Sequence, residues 1–471
     1  MGRQVDFFKV RLEFVESGGV LAEQIPVGAE PESTLQLCLE TDFTKRAHLP
    51  PTTVAGSLRA HVAAQRDASE ARRYFGHAPD AEDDERAVSS MIAVLGTRAC
   101  DGGQKEERSR TAISAHTGAP TPGSLRRAEL ATAGTAWDIS FRCDRATRDD
   151  IDDLTSLLRS WRPIIGRGAT VGHGQAKVLA VAHGRLDLGN PADLLSYLNS
   201  GGPILVDDVV GAYDFDPQNE GSDPTDDPAE LYELVCEIVG PIHVGDGSRT
   251  PRGEPSRIVR VDGKPIMLAS SVKGVLRSRM SYILRSVRKD GEWCSCTEDD
   301  YCVICHAFGF TDRQSRASRA RYSYRGRLRF FDSPIDGEPS VRINSPIDRF
   351  TGGAAHQTWP GGSDQAGDHR FWSRSGLLHS LEVMETGRFR IRIDDLGFDD
   401  QHHGDVFKAL LRLTVEDIND GHVTFGRGGT RGFGRVNIGN ADDALVPLSE
   451  AQATLRTLID QEDRTRDDTL A

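Results

Sequence analysis

Two stretches constrain this chain more than any other feature: GRGATVGHGQAKV at 166–178 and GRGGTRGFGRVNI at 426–438. They share the frame G-R-G-x-T-x-G-x-G and lie 260 residues apart. Glycine at four shared positions out of nine implies backbone that L side chains resist, or backbone that another group must approach closely. Further pairs follow in the same order. Gly28 and Gly245 lie in the similar segments IPVG (25–28) and IHVG (242–245), 217 residues apart, and Gly56 and Gly274 are 218 apart. Phe75 and Phe308 are 233 apart, Thr117 and Thr351 234, and Glu129 and Glu382 253. The separation rises along the chain and never falls. That series implies one module present twice, with insertions in the second copy.

Each copy reads as the same run of elements. An alternating strand opens it, FFKVRLEFV (7–15) or ELYELVCEIV (230–239). A helix then starts at a Thr/Ser pair, at Thr52 and Thr53 or at Ser270 and Ser271. A T-G loop, a strand, a second helix (148–161 or 404–417), the glycine box and a closing strand complete it. The expected fold class is α+β, with two tandem ferredoxin-like domains. The boundaries expected are 1–205 for the first domain, 206–229 for an acidic linker and 230–448 for the second domain. A C-terminal helix and a frayed or disordered tail fill 449–471.

Composition narrows the class. With 471 residues the chain has room for two domains. No apolar run is long enough to cross a bilayer and the N-terminus lacks a signal-peptide pattern, so the expected location is cytoplasmic with no membrane partner. A formal charge of −14 argues against a nucleic-acid ligand unless the acid is segregated. It is: 207–230 is rich in carboxylates with no Lys or Arg, whereas 313–330 has seven Arg and no acid.

The helix-start motif, the FG that follows it, the T-G loop, E-x-x-x-x-G-x-x-[FW] and the glycine box together resemble the RAMP superfamily. These are the repeat-associated RNA-binding proteins of CRISPR effector complexes, and the pattern is most similar to the backbone subunit of type III complexes. The resemblance spans nearly the whole chain, twice over. It implies two modified RNA-recognition-motif domains that bind guide RNA and position target RNA in antiviral defence. The implied partners are other backbone subunits and the large and small subunits of a type III complex. The alternative is a RAMP endoribonuclease that cleaves target RNA or processes guide RNA.

The residues agree with an RNA ligand. In the second copy Ser270, Ser271, Lys273 and Arg277 combine a helix N-terminus with positive charge, a phosphate-binding combination. In the first copy Thr52, Thr53 and Arg59 occupy the same frame, but Ala55 replaces the lysine, so a weaker grip is expected. Arg167, Arg427 and Arg431 sit in the glycine boxes, where they can clamp phosphates that the glycines let approach. In the T-G loops, Arg349 and Phe350 match the family's thumb, and His116 stands where Phe350 does.

The second copy also carries CSCTEDDYCVIC. Cys294, Cys296, Cys302 and Cys305 give four thiolates within twelve residues, enough for a structural zinc site, with His306 as a substitute ligand. An iron–sulfur cluster or disulfides are the alternatives; the spacing disfavours the first and a reducing compartment the second. Many backbone subunits of the family cut bound target RNA with an Asp, in a loop that falls near Gln36 and Ser256 here. Neither can act as a metal-binding carboxylate or a general base, so the expected role is binding without cleavage. Asp42, Asp262 and Glu254 are the nearby acids, and magnesium is implied only if cleavage occurs.

Overall fold

The computed structural model describes residues 4–24, 35–77, 87–100, 103–114, 119–211, 213–215, 230–248, 254–287, 301–314, 321–345, 347 and 379–470. The chain forms two compact units, Met1–Ala229 and Glu230–Ala471, each mixing helices with mainly antiparallel sheets.

In the first unit β1 (Gln4–Phe14) alternates because one face meets helices. Phe8, Val10, Leu12 and Phe14 lie in one core with Val54, Leu58 and Val62 of α1 (Pro51–Gln65). The spacing of 54, 58 and 62 makes a single helical stripe. A β2 strand (Leu35–Leu39) precedes α1, and β3 (Ile92–Ala99) follows it. The hairpin of β4 (Lys105–Arg110) and β5 (Arg126–Ala131) leads into β6 (Ala136–Asp144). Then α2 (Arg148–Ser160) starts at a capping box, in which Thr147 and Asp150 each accept the other's backbone N–H. The last main strand is β7 (Ala176–Asp187). The sheet order is β3-β6-β1-β7, with Asp214–Phe215 added at the edge.

The second unit repeats this order. It runs β8 (Glu230–Ile238), α4 (Ala269–Val287), the short α5 (Val303–Phe308) and β9 (Leu328–Phe330). The hairpin of β10 (Ser340–Asn344) and β11 (His379–Val383) leads into β12 (Arg388–Asp395), α6 (Gln401–Asn419) and β13 (Val436–Ile438). Its sheet order is β9-β12-β8-β13, the same path. Val272, Leu276 and Met280 are buried on α4 at the spacing seen in α1.

Three readings of the sequence change. Residues 206–210, assigned to the linker for their acid content, finish α3 (Gly202–Val210). Leu205 and Val206 pack on Val5 and Phe7, covering the second face of the first sheet. The C-terminal segment is helical through Leu470, as α7 (Leu448–Leu470), where fraying was expected. The segment 25–28 lies outside the described residues. Ile242, its expected counterpart, exchanges backbone hydrogen bonds with Met384, and the residue that does the same with Ala131 is Gly18. Among the described residues no helix is long and apolar enough to cross a membrane.

Candidate nucleic-acid interface

The glycine boxes have the same backbone. Gly168 and Gly428 both sit at φ 92°, Gly172 and Gly432 at 79° and 80°, and Gly174 and Gly434 at 76° and 81°. Each box makes one 3-10 turn, Ala169–Val171 or Gly429–Arg431. A Cβ on Gly174 would lie 2.0 Å from the carbonyl oxygen of Ile165, and one on Gly434 2.1 Å from that of Phe425. On Gly426 it would lie 2.3 Å from the carbonyl oxygen of His243. Positive φ and close backbone approach therefore both require glycine.

A ladder of backbone hydrogen bonds ties each box to a helix start. In the second unit the Arg427 N–H donates to His243 O (2.9 Å), Val259 N–H to Val244 O (2.9 Å) and Ile266 N–H to Val259 O (3.2 Å). Leu268 O then accepts from Ser271 and Val272 at the start of α4. In the first unit Gly166 bridges Gly19, Glu40 N–H donates to Val20 O (2.8 Å), and His48 N–H to Glu40 O (2.8 Å). Pro50 O accepts from Thr53 and Val54 at the start of α1. Box and helix start are thus about three strand spacings apart, roughly 15 Å, in both units.

The surroundings of the boxes differ. His173 is 6% exposed, and Val171, Gly172 and Gly174 beside it are buried. Burial, with Arg110 and Arg108 nearby, pushes the His173 imidazole down to about 3, so it is neutral. In the second unit Phe433 takes the same place and packs with Leu381 and Val383 at the root of the hairpin. Arg427, Arg431, Gly432 and Arg435 are exposed, and none of the three arginine side chains has an ion-pair partner among the described residues. Arg167 of the first box is exposed too.

The helix starts reverse part of the expectation. In α4 the Ala269 N–H already donates to the Asp332 carboxylate (2.7 Å), which satisfies one end group and offsets the dipole. Pro50 and Pro51 give α1 no side-chain cap. Pro51 has no N–H and the Thr53 N–H is held by Pro50 O, so the open backbone donor of α1 is Thr52, with no carboxylate among the described residues facing it as Asp332 faces α4. The side-chain contribution stays in the second, where Lys273 and Arg277 are half-buried along α4. Arg59 is exposed on α1.

The acids near the loops have local work. The Asp42 carboxylate accepts from the Thr44 hydroxyl (2.6 Å) and from the Thr44 and Arg46 N–H groups (2.8 and 3.0 Å), and these bonds hold it below the usual range. Asp262 forms a hairpin turn at φ 48°. Glu254 pairs with Arg257 at 3.1 Å. In ladder register Ser256 faces Leu381 as Leu37 faces Ala128, so Gln36 sits one residue off the place that Ser256 holds. Sequence reasoning missed the role of the paired glutamates. Glu382 accepts from Ile258 N–H and Arg260 (both 2.9 Å), and Glu129 from Leu39 N–H (3.3 Å). Burial opposes ionisation of Glu382, but Arg260 and the Ile258 N–H outweigh it and hold its carboxyl below the usual range. Their matching places in the repeat were the available signal.

Cys302 precedes α5 and Cys305 lies in its first turn, a spacing that suits two ligands of one zinc. Cys294 and Cys296 lie outside the described residues, as do His116, Arg349 and Phe350. Among the described residues no group of three or more His, Cys, Asp or Glu could hold a metal. The His306 ring is packed against Tyr324, Phe398 and His403, with Nδ1 3.4 Å from His403 Nδ1.

Residues 235–437 match the RAMP superfamily, so the second unit carries a RAMP domain. No curated protein matches the chain. Among solved structures, a chain of a type III-B Cmr-beta complex, determined by cryo-EM in the apo state, aligns at 8% identity. The alignment covers 36% of this chain and 96% of that one with a TM-score of 0.29.

Proposed function

We propose that this chain is a guide-RNA-binding backbone subunit of a type III CRISPR effector complex, built from two tandem ferredoxin-like RAMP modules. The observation that carries this reading is the second glycine box. A RAMP domain presents Arg427, Arg431 and Arg435 at the surface, around backbone that only glycine permits and beside the base of a hairpin. Such a surface suits a sugar–phosphate chain, since glycine admits close approach and arginine supplies charge. The matched sheet orders and matched glycine dihedrals support duplication. Lys273 and Arg277 extend the same RNA path, with Thr52, Thr53, Arg59 and Arg167 as the weaker counterpart.

The test is to co-express the chain with a repeat–spacer array, purify it and sequence the bound RNA. Enrichment of processed guides supports the reading, and random RNA or none overturns it. A structural zinc, held by Cys302 and Cys305 with Cys294 and Cys296, belongs to the same proposal. It predicts one zinc per chain by metal analysis; a folded, metal-free sample refutes it.

A further inference from the structure

Phe43 is 99% exposed, with its ring wholly in water. The turn that carries it is tightly built. Thr41 bridges Ala47, Asp42 N–H donates to Arg46 O (2.9 Å), and Lys45 N–H donates to Asp42 O (2.9 Å). The Asp42 carboxylate locks the inside of the turn through its three bonds to Thr44 and Arg46. The foot of the hairpin is fixed as well, because the backbone of Glu40 and His48 forms the ladder between the first glycine box and α1. The ring is thus held out on a short arm beside a candidate phosphate site.

Its neighbours indicate the ligand. Thr44, Lys45 and Arg46 are all exposed, and neither cation has an ion-pair partner among the described residues. Lys45 sits at φ 63°, where glycine or asparagine would be less strained, yet the position carries a charge. A protein-binding anchor normally sits within a contiguous apolar patch. A lone ring flanked by cations instead suits an unpaired base with its phosphates. In the second unit the matching hairpin joins Val261 to Lys264 through Asp262 and Gly263, with no aromatic residue.

We propose that the 41–47 hairpin is a further RNA contact, in which Phe43 stacks on an unpaired base and Lys45 and Arg46 hold the adjoining phosphates. This rests on the RNA-binding reading above. The experiment titrates the full chain against a short fluorescein-labelled single-stranded RNA, by anisotropy over a range of salt. Phe43→Ala weakens binding about tenfold and leaves the salt slope unchanged, because a stacked ring contributes no charge. Phe43→Trp retains affinity. Lys45→Ala with Arg46→Ala lowers the slope by about 1.4, at about 0.7 per phosphate on a single strand. Wild-type binding with unchanged affinity in Phe43→Ala overturns this proposal alone. Loss of a protein partner with RNA affinity intact does the same and makes the ring a protein contact. A wild-type chain that binds no RNA overturns the parent reading with it.

Discussion

The two glycine boxes have one backbone and two environments. In the first unit Val171 to Gly174 of the box are covered, with His173 buried and Arg108 nearby, itself 4% exposed. In the second, Phe433 takes the buried place and three arginines stand outside it. The comparison separates two jobs that the shared frame combines. Glycine at the four shared positions serves a backbone path that both units need, whatever they bind. The residues between the glycines decide whether that path presents charge. The sheets differ in a similar way: Phe7 is covered by α3, whereas Leu231, at the matching place on β8, is exposed.

The largest effects should come from the shared backbone. Gly174→Ala and Gly434→Ala each place a methyl within about 2 Å of a carbonyl oxygen at positive φ, and each should destabilise its unit by about 4 kcal/mol. Gly432→Ala has the same φ with nothing within 4 Å, so it should cost only about 1–2 kcal/mol. Urea unfolding followed by circular dichroism ranks the three. If Gly434→Ala costs no more than Gly432→Ala, close approach is not what glycine supplies.

Acid should separate the units next. His173 binds a proton in the unfolded chain near pH 6.5 but resists it in the folded unit down to about 3. The unfolded state therefore holds more protons in that window. The histidine's contribution is complete above pH 6.5 and shrinks by about 1.4 kcal/mol per pH unit below it. Between pH 6.5 and 4.5 this amounts to about 2–3 kcal/mol. His173→Phe, which installs the residue found at 433, should flatten the dependence of the first unit's stability on pH. A slope that survives the substitution assigns the effect to other groups.

A smaller contrast concerns charge. Arg427→Ala with Arg431→Ala should lower the salt slope of RNA binding by about 1.4, and Arg167→Ala by about 0.7. Equal slopes for all variants would show that neither box meets phosphate. Last, Glu382→Gln weakens two good hydrogen bonds and should cost about 1 kcal/mol, whereas Glu129→Gln weakens one at 3.3 Å and should cost less. Thermal melts of the two variants check the order, and a larger loss at Glu129 reverses it.

Much of the architecture was legible because it is periodic. Alternation in 7–15 and 230–239, apolar spacing in the helices, and the recurring segments all encode contacts that each module makes with itself. Glu129 and Glu382 were paired correctly even though their work, holding a loop strand to the hairpin, was not visible. Alignment failed where loops carry it. Matched by letters, 25–28 pairs with 242–245, while the ladder matches Gly18 to Ile242, 224 residues apart, so the separation falls to 218 at Gly56 and Gly274 before it rises. The helix starts were judged by the charge on their own residues, and the cap on α4 comes from Asp332, 63 residues away from Ala269.

The sequence by itself determined that some glycines must be glycine, which faces of the strands and helices are apolar, and where charge of each sign collects. These are properties of single residues and short periods. Tertiary structure alone decided which side chains those faces meet. It buries His173 and drops its affinity for protons, folds α3 over Phe7, and leaves Phe43 in water at the tip of a locked turn. Burial and electrostatic environment are set by residues far apart in the chain, and no local pattern carries that information.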